Sequence, residues 1–188
     1  MKNLTDLEII ASVKRGNQTD YAIIIDRYKN KAFSLVKRIL KNEMDAEEVL
    51  QDAFLRAFNG LNSFKQESKF STWFYRIVYN TAISRVNSKK RKIENETASI
   101  DDFFNLESHL DIRTTENINF SSFITNMLEK IPSNYSALLN LFYINGMSCE
   151  EISEIMNISV SNVKVMLHRS RNALRDYILK NDLLKELI

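Results

Sequence analysis

Residues 148–175 read SCEEISEIMNISVSNVKVMLHRSRNALR, which spells two short helices with a tight joint between them. Ser148 followed by Glu151 has the S-x-x-E spacing of a capping box, so the first helix is expected to start there. Ile152, Ile155 and Met156 give it an apolar face at helical spacing. Asn157 follows, a residue that tolerates the positive φ of a sharp inter-helix turn. Ile158 fills the corner, and Ser159 or Ser161 caps a second helix whose buried stripe is Val160, Val163, Leu167 and Leu174. Its other faces carry Asn162, Lys164, His168, Arg169, Arg171 and Arg175. An aliphatic stripe opposite so many donors suits a helix-turn-helix unit that lays its second helix in the DNA major groove. The same period and charge also fit an ordinary helical hairpin with a solvated basic face.

Outward from this unit, the chain predicts an all-α fold. Three Gly and one Pro in 188 residues all fall between periodic segments, and 44% hydrophobic content is enough for real cores. One Cys forms no internal disulfide, and two scattered His build no zinc site by themselves. There is no apolar run of about 18 residues and no signal-peptide order at the N-terminus, so a cytoplasmic location is expected. The net charge of +2 hides a strong asymmetry. Residues 93–120 carry seven acids and one base, leaving 25 bases against 17 acids in the rest. Two basic bodies joined by an acidic strap suit a polyanionic partner.

Residues Thr5–Arg15 and Asp20–Lys41 read as amphipathic helices. A D-x-x-E pair, Asp45 and Glu48, is taken as the cap of a third, which buries Ala46, Val49, Leu50, Ala53, Phe54, Ala57 and Phe58 and turns Glu47, Glu48, Gln51, Asp52 and Arg56 outward. After a polar loop, KFSTWFYRIVYNTAISRVNSKKRK forms an aromatic-dense helix ending in a basic run. Trp73 and Phe74 are expected in the core. Tyr75, Arg76, Tyr79 and Asn80 are expected on the remaining faces, rings beside cations as single-stranded nucleic acid requires. Beyond the acidic linker, Phe123, Met127 and Leu128 mark a helix, Pro132 opens another, and Leu183, Leu184 and Leu187 extend an amphipathic end.

Laid out in this order, the motifs resemble the extracytoplasmic-function (group IV) sigma factors of the sigma-70 family. Asp45–Phe58, DAEEVLQDAFLRAF, is similar to the family's DAEDLVQETFLRAW helix, and Phe70–Asn80, FSTWFYRIVYN, to its F-x-x-W-L-Y-R-I-A-x-N helix. Ile131-Pro132 with Gly146–Ile152 resembles L-P … G-L-S-Y-E-E-I-A, and Val160–Arg171 resembles V-G-T-V-K-S-R-L-H-R-A-R. The resemblance implies two helical domains, 1–92 for core-polymerase binding and −10 recognition with melting, and 121–188 for −35 recognition by the helix-turn-helix, joined by a flexible linker at 93–120. It assigns Glu47, Glu48, Gln51, Asp52 and Arg56 to docking on core RNA polymerase. Tyr75, Arg76, Tyr79 and Asn80 would capture the −10 element, a flipped base included, with Lys89, Lys90 and Arg91 holding phosphates. Ser161, Asn162, Lys164, His168, Arg169 and Arg171 would face the −35 element. The partners implied are bacterial core RNA polymerase, promoter DNA and an anti-sigma factor, often membrane-bound in that family. No cofactor, metal, catalytic residue or small-molecule substrate is implied. The chain departs from the pattern at Asn157, where Gly is usual, at Ser153 for Ala, and at Val165 and Met166 for Ser and Arg.

Two other classes fit these residues less well. A dimeric duplex-binding regulator leaves the Trp73–Asn80 helix and the acidic Glu47–Asp52 face without a use. A carboxylate-bridged metalloenzyme needs Glu-x-x-His pairs on facing helices, and neither His109 nor His168 has a Glu three residues before it.

Overall fold

The computed structural model describes residues 4–96 and 126–181. Among these every regular element is helical: α1 Asp6–Lys14, α2 Tyr21–Leu40, α3 Glu43–Gly60, α4 Phe70–Glu96, α5 Ser133–Leu139, α6 Cys149–Met156 and α7 Val160–Lys180. Short 3-10 turns precede α2 and follow α3. Residues 97–120 of the expected linker, Phe123 and Leu183, Leu184 and Leu187 lie outside the described residues.

Local chemistry sets most boundaries. Thr5 closes a capping box with Glu8 at the start of α1, and Ser148 does the same with Glu151 at α6. Lys41, at φ 52°, ends α2 in the left-handed region. The expected Asp45 cap is corrected. Asn42, extended at φ −141°, is the N-cap, and its side-chain oxygen accepts from the Asp45 amide at 3.0 Å. Asp45 lies in the first turn, free to reach across to α4.

The first four helices pack around rings. Phe74 is fully buried between Phe54 at a 5.0 Å centroid distance and Tyr28 at 5.2 Å, close enough for favourable quadrupole contacts. Phe70 and Trp73 extend this cluster to Phe64. The face of Gly60 lies against the Trp73 ring, where an added Cβ would stand 3.2 Å from it. The Tyr21 hydroxyl donates to the Phe54 carbonyl at 2.8 Å, tying α2 to α3.

In the second half, α5 runs into a π-helical turn, Asn140–Ile144. Such turns arise where one backbone bond reaches i−5, here Asn145 N–H to Asn140 O at 3.0 Å. The helix-turn-helix follows. Asn157 holds φ 54°, ψ 48°, as its place in the turn demands. Ser153 has a definite job: its hydroxyl donates to the Ile158 carbonyl at 2.6 Å, and Ile158 N–H returns a bond to the Ser153 carbonyl at 3.2 Å. The turn is thus stapled from within. Of the two serines considered, Ser159 is the cap of α7, accepting from the Asn162 amide.

The two halves do not stand apart. One continuous apolar core runs through both, with α4 against α6 and α2 against α5. Asn140, fully buried, donates to Ser34 Oγ at 3.0 Å, and accepts from Asn145 at 2.7 Å. Arg38, 3% exposed, lies on the same seam, where burial pulls its pKa down and the charge of Glu129 opposes the shift.

Asn157→Gly should leave stability unchanged or raise it slightly, because only the left-handed geometry is needed there. Asn157→Val should lower it by at least ~1 kcal/mol, since a β-branched residue pays for that φ in steric strain. Urea titration followed by circular dichroism distinguishes them.

Candidate nucleic-acid and polymerase interface

The basic helix α7 presents what the sequence promised on most of its surface. Val163, Leu167 and Ser170 form its buried stripe. Ser161, Asn162, Lys164, His168 and Arg169 are all exposed. His168 Nε2 pairs with the Asn172 side-chain amide at 3.1 Å, which orients the ring on the outer face. Val165 is 48% exposed among these donors, an apolar contact point where a polar residue is usual. Arg171 is exposed too, and it has partners within the fold. Its Nε donates to the Tyr143 hydroxyl at 2.8 Å, and its guanidinium stands 5.6–5.8 Å from the Tyr143 and Phe142 ring centres. Both Arg171 and Tyr143 are exposed, so this is a surface cation–π contact.

Helix α4 departs further from expectation. Arg76 and Asn80 are exposed as required. Tyr75 is 2% exposed and packs on Tyr28 and Phe74, and Tyr79 is half-buried. The reason is geometric. Tyr75 lies ~100° around the axis from Phe74, and that flank is covered as well, because α4 is sandwiched between α2/α3 and α6. Burial pushes both phenols up from their usual range. The Tyr75 hydroxyl is buried with no hydrogen-bond partner in the protein.

The basic run at the end of α4 is drawn into ion pairs with α3. Arg85 lies 3.7 Å from Asp45 and 2.5 Å from Glu48, and Lys89 also pairs with Asp45. Hydrogen bonding to Glu48, more than the opposing burial, raises the pKa of Arg85. Lys89 is therefore held toward α3, while Arg91 is exposed. Lys90 has partners of its own.

On α3, Glu47, Glu48, Gln51 and Arg56 are exposed and Asp52 is half-buried, with Asp52 and Arg56 paired at 2.9 Å. The sequence reading missed Leu55. It is 63% exposed and borders an apolar groove of about 630 Å³ with Ala22, Ile25, Phe54, Phe58 and Gln51. The acidic face thus has an apolar centre, the anatomy of a protein interface. Its signal lay in the helical period, which puts Leu55 on the outward face with Glu48, Gln51 and Asp52.

No cluster of His, Cys, Asp or Glu fit for a metal occurs among the described residues, and none of their helices is long and apolar enough to cross a membrane.

Against known proteins, residues 24–92 match Sigma-70 region 2 and residues 124–174 match Sigma-70, region 4. The chain is 37% identical over 173 residues to the ECF RNA polymerase sigma factor SigW of Bacillus subtilis, covering 88% of this chain and 92% of that one. The chain belongs to the extracytoplasmic-function sigma factors. It is also 31% identical over 180 residues to the ECF RNA polymerase sigma-E factor of Escherichia coli K12, covering 92% and 94%. Two solved structures share the fold. CnrH in complex with the cytosolic domain of CnrY has a TM-score of 0.64 at 21% identity, covering 93% of this chain and 96% of that one. The sigma factor RpoE in complex with the anti-sigma factor NepR from Bartonella quintana has a TM-score of 0.66 at 16%, covering 85% and 96%. As a sigma factor, the chain acts in promoter-directed initiation of transcription.

Arg171→Ala should reduce the stability of the C-terminal half by about 0.5–1 kcal/mol through loss of the ring contacts. Hydrogen exchange at amides of residues 140–144 reads this directly; unchanged protection would mean that the Tyr143 contact contributes nothing.

Proposed function

We propose that residues 1–92 dock on core RNA polymerase and open the −10 element, while residues 121–188 read the −35 element as duplex, the acidic 93–120 stretch joining the two. The observation that carries this reading is the pair of chemically distinct surfaces: an acidic face with an apolar centre on α3, and a donor-rich exposed face on α7. Glu47, Glu48, Gln51, Asp52 and Arg56 surround Leu55 as the polymerase contact. Lys164, His168, Arg169, Ser161 and Asn162 meet the major groove, where each bidentate pair contributes ~1–3 kcal/mol of discrimination. Arg76 and Asn80, with the half-buried Tyr79 beside them, hold unpaired bases of the −10 strand, and Lys89, Lys90 and Arg91 follow its backbone.

The factor works by binding energy and has no catalytic step of its own. It operates in the cytoplasm. An anti-sigma factor holds it until a signal arrives. Support for such a partner comes from the two fold relatives, CnrH and RpoE, whose structures are complexes with CnrY and with an anti-sigma factor.

Lys164→Ala should lower run-off transcription from a −35-dependent promoter by about tenfold, the loss of one good base contact. Co-elution with core polymerase should be unchanged. Leu55→Asp and Asp52→Arg should do the reverse, abolishing co-elution while the isolated factor keeps its helical content. If Leu55→Asp still co-elutes, the docking face lies elsewhere.

A further inference from the structure

The first turns of α7 carry one residue whose chemistry the −35 reading leaves unused. Val165 is 48% exposed, a β-branched side chain half in water. At about 100° per residue, the buried Val163, Leu167 and Ser170 each lie ~140–160° around the axis from it. Val165 therefore points away from the core. On the same reckoning Ser161, Asn162, His168 and Arg169 stand within ~60° of it, two on each flank, and all four are exposed. It occupies the centre of the donor face, not its border. Met166, the neighbouring departure from the family pattern, lies ~100° further round and packs against the core. Of these two changes, Val165 is the one that meets whatever α7 binds.

A single exposed apolar residue is ordinary on a protein surface. Its surroundings give this one a meaning. No Asp or Glu occurs from Val160 to Arg175, whereas Lys164, Arg169, Arg171 and Arg175 do. A protein pocket that took the valine would strip water from these cations and from the donors beside them, a cost one small side chain does not offset. A polyanion meets the same cations favourably. The floor of the DNA major groove offers one apolar group, the 5-methyl of thymine. The other bases present donors or acceptors there that valine cannot answer, and these would lose water without gaining a partner.

We propose that Val165 reads a thymine methyl within the −35 element, so that specificity at that base pair comes from apolar contact and not from a hydrogen bond. This deepens the −35 reading of α7 and rests on it. Lys164, His168 and Arg169 keep the polar contacts to the neighbouring pairs and phosphates. Cytosine in place of that thymine removes the methyl and adds an N4 amino donor, so it is rejected on both counts.

The full chain, assembled with core polymerase, is used to select bound duplexes from a promoter pool randomised across the −35 element. The selected duplex is then resynthesised with each thymine of that element replaced in turn by deoxyuridine, which lacks only the methyl. Competition binding by the wild-type holoenzyme should show one position that is about fourfold weaker as deoxyuridine, the effect of one buried methyl group. Val165→Ser should bind thymine and deoxyuridine alike at that position, and Val165→Ile should keep the difference. The proposal is overturned if no thymine of the selected element responds to loss of its methyl, or if Val165→Ser retains the full difference. It is overturned equally if Val165→Ser abolishes co-elution with core polymerase, which would make the valine a protein contact. A pool that enriches no −35 sequence would fell the −35 assignment itself, and this proposal with it. An enriched element indifferent to its methyls fells the valine's part alone.

Discussion

The structure depends on one helix being buried on two sides. α4 turns Phe70 and Phe74 into the ring cluster of α2 and α3, turns Thr72 toward α6, and sets Tyr75 between Tyr28 and the cleft that Glu151 lines. A helix that serves a single core shows one stripe; this one is covered over most of its first three turns. Phe74 to Ala would remove the ring that Phe54, Tyr28 and Phe70 all touch. Everything assigned to DNA on the front half hangs from the same element, so its packing and its availability are a single question.

Charge is distributed to fit. The acidic first turns of α3 hold Arg85 and Lys89 of α4 in place, and Glu151 of α6 holds Lys69. These are partly exposed pairs, each of modest strength and sensitive to salt. Such contacts orient elements without making their arrangement permanent. On α7, by contrast, Ser161, Asn162, Lys164, His168 and Arg169 stay exposed, and Arg171, exposed as well, is held by Tyr143.

Much of the site was legible because it lies on single helices. The capping box of Ser148 and Glu151, the left-handed Asn157 and the exposed donors of α7 each follow from neighbours within four residues. Leu55 was overlooked because an apolar residue next to Phe54 looks like core, although its period sets it with Gln51 and Asp52, beside the groove. Tyr75 was misjudged for the converse reason: one stripe was assumed where two surfaces meet. Glu151 was read correctly as a cap, yet nothing in its spacing hints at Lys69, 82 positions away.

The sequence by itself determined an all-helical chain, the position of nearly every helix start, the helix-turn-helix and the kinship with sigma factors. These depend on short-range periodicity, on caps that bond within three residues, and on motifs whose order is written in the chain. Tertiary structure alone decided which flank of α4 is open, which cations are already paired, and that the two halves share a seam. Those are contacts between residues far apart in sequence, and hydrophobic period fixes the face of a helix but never names the surface that covers it.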